Sequence, residues 1–147
     1  MRWSPHITVS TVLEQEGKLL FVEELIDGQR VINQPAGHWE DNETILEASV
    51  RETLEETAWT YEPDSIIGIY HWKHPANNET FLRFCFTGTL LTHEPGRTLD
   101  KEIIQAIWLS PDELAQRSVE HRSPLVSTCV NDYLSGQRFD LSVLKQY

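Results

Sequence analysis

Apolar positions alternate with polar ones through HITVSTVLEQ and KLLFVEELI, and Glu16-Gly17 between them reads as a turn, so the chain opens with two predicted strands. Asp27-Gly28 is a strong hairpin signal and sends the chain back through a third strand, RVINQ. Pro35-Ala36-Gly37 breaks that pattern, and beyond it the spacing becomes helical. Thr44-Ile-Leu-Glu47 fits a capping box, with Thr44 as N-cap and Glu47 at the third helical position. After Pro63-Asp64 come two β-rich runs, SIIGIYHWK and TFLRFCFTGTLL, separated by a turn at Asn77-Asn78-Glu79. A loop from His93 to Asp100 leads into a further strand, IIQAIWLS. Ser110 as N-cap and Pro111 at the first helical position open a short helix, and PLVSTCVNDYLSG predicts a last one closed by Gly136. The sum is an α+β fold of layered α/β/α type, with a mixed, largely antiparallel sheet, expected as one domain over residues 1–147.

The helix after Thr44 is unusual in its charge. Residues Gly37 to Trp59 carry seven carboxylates (Glu40, Asp41, Glu43, Glu47, Glu52, Glu55, Glu56) and one cation, Arg51. At about 100° per residue, Glu52, Glu55 and Glu56 share one arc, with Leu46, Val50, Leu54 and Thr57 on an apolar arc roughly opposite. That pattern alone describes any surface helix with a solvated acidic face. Energetics point elsewhere. Glu52–Glu55 and Glu52–Glu56 are like-charge neighbours costing about 0.2–0.5 kcal/mol each. Glu55 and Glu56 also lie near the helix C-terminus, where the helix dipole disfavours anions. Three clustered carboxylates suit a hard divalent cation such as Mg²⁺ or Mn²⁺.

Composition narrows the partners. The chain has 23 acidic against 12 basic residues and a formal net charge of −11. That balance argues against binding to nucleic acid or an anionic membrane, which needs clustered cations. It is compatible with a small phosphorylated substrate brought in with a metal. The N-terminus lacks an apolar signal core and no run approaches the ~20 apolar residues of a membrane span, so a cytoplasmic location is expected. Cys85 and Cys129 read as buried free thiols, and the histidines lack the spacing with cysteines of a structural zinc site.

Gly37, Glu43, Arg51-Glu52 and Glu55-Glu56, six fixed positions over twenty residues, resemble the signature of the Nudix hydrolases. Two positions depart from it. Thr53 stands where an aliphatic residue is usual, and Ala58 stands for glycine, leaving the helix end to reach positive φ at a cost of about 1 kcal/mol. The segments PHITV, NQPAGHWE, HW with Pro75, FLRF, RSPLV and SGQRF, from Pro5 to Phe139, are similar to the NudJ-type phosphatases of that family. The resemblance implies Mg²⁺-dependent hydrolysis of nucleoside di- and triphosphates and of thiamine-pathway diphosphates, thiamine pyrophosphate and hydroxymethylpyrimidine diphosphate, with release of orthophosphate. Other Nudix activities stay open: hydrolysis of dinucleoside polyphosphates or 5′-triphosphorylated RNA, or a non-catalytic ligand-binding role.

By the same resemblance, Glu52, Glu55, Glu56 and the Gly37 carbonyl are metal ligands. Arg51 orients a glutamate and Glu43 braces the junction of loop and helix. Glu102, just before IIQAIW, is a candidate extra ligand or general base. Arg83 and Lys73 are candidates to meet phosphate from the strands, though strand alternation could turn either outward. His71-Trp72 offers a ring to stack on a base or thiazolium, His38 and Trp39 follow the metal loop, and Arg122 is the best-placed cation of the C-terminal half. His6, inside the first strand, reads as a core histidine. The pattern leaves monomer and small homo-oligomer equally open.

Overall fold

The computed structural model describes residues 2–147. Its strands are β1 (His6–Thr11), β2 (Glu14–Gln15), β3 (Lys18–Ile26), β4 (Gln29–Asn33), β5 (Ala36–His38), β6 (Trp59–Lys73), β7 (Thr80–His93), β8 (Ile103–Leu109) and β9 (Phe139–Asp140). Its helices are α1 (Ile45–Thr57), α2 (Pro111–Gln116) and α3 (Leu125–Leu134), with single 3₁₀ turns at Ser118–Glu120 and Leu141–Val143.

The strands form two sheets. One has the order β5-β1-β7-β6-β9, with β1 parallel to β7 and its other pairs antiparallel. In the other, β3 is the hub and pairs antiparallel with β2, β4 and β8. HITVSTVLEQ is therefore two strands rather than one. Val12 still donates to the Phe86 carbonyl of the first sheet, whereas Leu13 accepts from Leu20 of the second. Both residues are buried, so the crossing point between the sheets is part of the core.

Cys85 and Phe86, adjacent in β7, point to opposite faces of the first sheet. Phe86 joins Val9, Ile66 and Ala48 under α1. Cys85 joins Ile67 with Val126, Cys129 and Val130 of α3 and with Leu19, Phe21 and Leu109 of the second sheet. Helices thus cover both sides of the strands, as the layered reading expects. Cys85 and Cys129 are free, buried thiols.

The local signals behave as their chemistry dictates. Thr44 and Ser110 each cap a helix through a complete capping box, Thr44 with Glu47 and Ser110 with Glu113. Asp27 and Gly28 both adopt positive φ, as a type I′ turn requires. Pro63 behaves differently: β6 begins at Trp59 and runs through it, with the register shifting between Pro63 and Ser65. A bulge absorbs the missing N–H there. Its partner Gly88 leaves the necessary room, since a Cβ would land on the Glu62 carbonyl.

Helix α1 is rotated from its apolar arc, so that only Thr57 of that arc is fully buried. Its buried residues are Ala48, Ser49, Glu52, Thr53, Glu56 and Thr57, while Leu46, Val50 and Leu54 are only partly buried. Small side chains let the helix approach the sheet closely, and hydroxyls satisfy one another there. Thr53 donates to the Ser49 carbonyl and pairs with Thr11 of β1 at 3.1 Å, so the departure at position 53 is a buried hydrogen bond. Ala58 ends the helix in the left-handed region at φ 65°, its N–H on the Leu54 carbonyl. Its methyl is buried, which offsets the left-handed cost.

Two stability measurements follow from the backbone. Gly88→Ala is expected to lower stability by about 2–3 kcal/mol, read as a thermal midpoint lower by roughly 5–10 °C. Ala58→Gly is expected to change it by less than about 1 kcal/mol, because relief of strain and loss of a buried methyl oppose one another.

Candidate active site

Three segments meet at the C-terminal half of α1. The capping box fixes where the helix begins; β5 pairs with β1, Gly37 opposite Val9, and brings its loop beside the helix. The loop before β8 closes the third side, with the Asp100 N–H donating to the Glu55 carbonyl at 3.0 Å.

Arg51 ties loop and helix together. Its Nε and Nη2 donate to the two oxygens of Glu43 at 2.9 and 2.7 Å, and Nη2 also donates to the His38 carbonyl at 3.0 Å. Its Nη1 donates to Glu52 at 2.8 Å and lies 3.4 Å from Glu55. This guanidinium holds the Glu43 carboxyl below its usual range. Trp39 is 45% exposed and donates its indole N–H to the Glu43 carbonyl, so it supports this junction and does not line the cleft.

Glu52 and Glu56 are buried acids. Burial pushes Glu56 up to about 9, against the hydrogen bond it accepts from the Ala36 N–H. Burial pushes Glu52 up to about 7 and outweighs the neighbouring Arg51. Asp100 is also raised, by burial and then by Glu55. Carboxylate oxygens of Glu52, Glu55 and Asp100 lie within 4.8 Å of one another, and so do those of Glu56, Asp100 and Glu102. Asp100 belongs to both groups. The set offers only hard oxygen donors, and charged acids at this density need a counter-cation, so it fits a divalent metal. At Gly37 a Cβ would land in the Glu52 carboxylate, which makes the bare glycine part of the same cradle.

The acids form one end of a cleft of about 830 Å³. Of the sequence candidates, Gly37, His38, Arg51, Glu52, Glu55, Glu56, Trp72, Arg83, Glu102 and Arg122 all line it. Lys73 does not. It alternates away from Trp72 and is exposed outside the cleft, as is His71. Arg83 is almost buried, its Nη1 on Gln34 and Nη2 on Asn33. Arg122 donates Nη1 to Glu24 at 2.7 Å. His6 is not a core residue: its side chain is 39% exposed, stacks on Phe81, and reaches His38 at 3.1 Å and Glu79 at 3.4 Å. Burial, with His6 second, holds His38 below the usual histidine range.

Sequence reasoning missed Asp100, Glu24, Asn33, Phe81 and Glu79. Asp100 was visible only as an acid ending a loop, and the fold of that loop onto Glu55 is a tertiary contact.

Because Glu52 and Glu56 bind their protons more tightly folded than unfolded, the metal-free protein is expected to lose stability as pH rises from about 4.5 toward 9. A scan of thermal midpoint against pH in chelator checks this. At pH 8, Mg²⁺ at a hundredfold excess over its dissociation constant adds about 2.7 kcal/mol, a rise of roughly 5–10 °C. Gly37→Ala is expected to abolish that rise by displacing Glu52.

Comparison with known proteins places the chain. The NUDIX domain model matches residues 4–129. Phosphatase NudJ from Escherichia coli strain K12 is 41% identical over 145 residues, covering 99% of this chain and 94% of that protein. The structure of a NUDIX hydrolase from Nitrosomonas europaea superposes with a TM-score of 0.95 at 44% identity, covering 98% of both chains. That of a MutT NUDIX hydrolase from Burkholderia pseudomallei, 15% identical over 88% of this chain and 98% of its own, shares the fold with a TM-score of 0.74. With its signature acids gathered at one end of a cleft and its fold and sequence shared over nearly the full length, the chain belongs to the Nudix hydrolase family.

Proposed function

We propose that the protein is a Mg²⁺-dependent phosphatase that cleaves phosphoanhydride bonds of nucleoside di- and triphosphates and of thiamine-pathway diphosphates, thiamine pyrophosphate and hydroxymethylpyrimidine diphosphate, releasing orthophosphate. The observation that carries this reading is the cleft itself, acidic at one end and lined by Trp72, Phe81, Arg83 and Arg122 elsewhere. The 41% identity to proteins named Phosphatase NudJ supports the orthophosphate product. The acidic cleft walls disfavour an RNA chain, which makes 5′-triphosphorylated RNA the weaker alternative.

In this reading Glu52, Glu55, Glu56, Asp100 and the Gly37 carbonyl hold the cation. Bound there, Mg²⁺, or Mn²⁺ in its place, supplies the positive charge that polarises a phosphoryl oxygen and acidifies water. Arg51 keeps Glu52 and Glu55 aimed inward, and Glu43 keeps Arg51 in place. A water attacking phosphorus gives its proton to the Glu102 carboxylate, our candidate base. Arg122 faces the phosphates from the cleft wall, and Arg83 stiffens Asn33 and Gln34 beside it. Trp72, with Phe81 5.7 Å away, offers an aromatic surface to the substrate's ring, and His38 borders it. The substrate is a small phosphorylated molecule. No helix among the described residues is long and apolar enough to cross a membrane, and a cytoplasmic location is part of the proposal.

The test is a phosphate-release screen with Mg²⁺ across these substrates. Orthophosphate is the expected product, and pyrophosphate as the main product from nucleoside triphosphates would overturn the phosphatase reading. Glu55→Gln and Glu56→Gln are each expected to lower kcat by about a hundredfold or more with an unchanged fold by circular dichroism. Near-normal turnover at saturating Mg²⁺ in either variant removes that residue from the ligand set.

A further inference from the structure

Glu23 and Glu24 are consecutive residues of β3, and both are buried, at 2% and 4% exposure. A strand with regular alternation sends one of two neighbours to each face. Here the register against β8 shifts, but the extra residue, Ile104, lies in β8, and β3 stays in regular register with β4, so Glu23 and Glu24 keep that alternation. The outcome is two acids with two arginine partners from one segment. Glu23 receives Arg117 Nη2 at 2.8 Å, and Glu24 receives Arg122 Nη1 at 2.7 Å. Between the arginines lies the 3₁₀ turn Ser118–Glu120, and the Arg122 N–H donates to the Ile32 carbonyl on the edge of β4. The segment is strapped to the sheet at both ends.

The two straps differ in place. Neither Glu23 nor Arg117 lines the cleft; Glu24 and Arg122 both do. Adding Glu24 to a cleft that already holds Glu52, Glu55, Glu56, Asp100 and Glu102 is unfavourable for stability alone. A neutral hydrogen-bonding pair would fasten the segment without another buried charge. The charge has a use if the arginine does. Arg51 is spent on Glu43 and Glu52, and Arg83 on Asn33 and Gln34. Arg122 keeps 44% of its side chain exposed, and its Nη1 is its one engaged side-chain nitrogen among the described residues.

We infer that Glu24 is a positioning residue: its carboxylate fixes the Arg122 guanidinium on the cleft wall, with the remaining donors free for a phosphate of the substrate. This rests on the phosphoanhydride reading above. Glu24 sets where the cation stands, and Arg122 makes the contact. The pair therefore contributes to binding more than to the bond-breaking step, and the loss of either partner costs what the loss of both costs.

The experiment compares Glu24→Gln, Arg122→Ala, their double variant and Glu23→Gln. It measures KM and kcat for ADP with Mg²⁺, and the dissociation constant of α,β-methylene-ADP, whose bridge does not hydrolyse. Glu24→Gln and Arg122→Ala are each expected to raise KM and the dissociation constant about tenfold with kcat within about twofold, and the double variant is expected to match Arg122→Ala. Glu23→Gln is expected to lower the thermal midpoint without moving KM, and Glu24→Gln to keep the Mg²⁺ titration midpoint of the wild type. Multiplying effects in the double variant, an equal KM rise in Glu23→Gln, or a shifted Mg²⁺ midpoint in Glu24→Gln would overturn the inference. Wild-type turnover with an unaltered KM in Glu24→Gln brings down this inference alone. A wild type that cleaves no diphosphate brings down the functional reading and this inference together.

Discussion

The structure depends on one guanidinium. Helix α1 packs against the sheet through Ala48 and small hydroxyl residues, and it buries Glu52 and Glu56 on the same side, which is costly for acids. What makes the arrangement tenable is Arg51. It grips Glu43 of the preceding loop with two nitrogens and the His38 carbonyl beside Gly37, and it turns its third nitrogen to Glu52. Charge-assisted bonds of this kind hold geometry as well as charge. They join the loop, the helix and the β5 backbone through one side chain, beside the separate tie from the Ala36 N–H to Glu56.

Arg51 neutralises only part of the acid it organises. Among the described residues Glu56 and Asp100 have no cationic hydrogen-bond partner, and burial raises both. The metal-free site is therefore poised to take up either protons or a divalent cation. Protons and a divalent cation would compete for the same oxygens, and on the proposed reading it is the cation that lets an acidic cleft take an anionic substrate. The remaining positive charge of the cleft is rationed in the same manner. Arg83 is committed to Asn33 and Gln34, and Arg122 stands on Glu24 with its other donors open.

Much of this was legible in the chain. The capping boxes at Thr44 and Ser110, the Asp27-Gly28 turn and the end of α3 at Gly136 are local, decided by backbone and side chain within a few residues. The acids of α1 were legible as a group because their spacing is a property of one helix. The direction that helix faces was not. Leu46, Val50 and Leu54 suggested a contact face centred on themselves, and the small residues Ala48, Ser49 and Thr53 won because they allow close approach and Ser49 and Thr53 pair their hydroxyls with Tyr61 and Thr11.

By itself, the sequence determined most of the elements, the α+β class, the grouping of the acids on one helix and the family. Each of these is carried by residue types at short, fixed spacings. Only the tertiary structure decided which acids complete the cluster and which cations reach it. Asp100 arrives through a loop folded onto Glu55, and Glu24 reaches the cleft because β3 alternates and is paired where it is. Lys73 is lost to alternation, whereas Trp72 is kept by it. Those outcomes depend on strand register and on contacts between segments tens of residues apart, and neither leaves a mark on the local pattern of side chains.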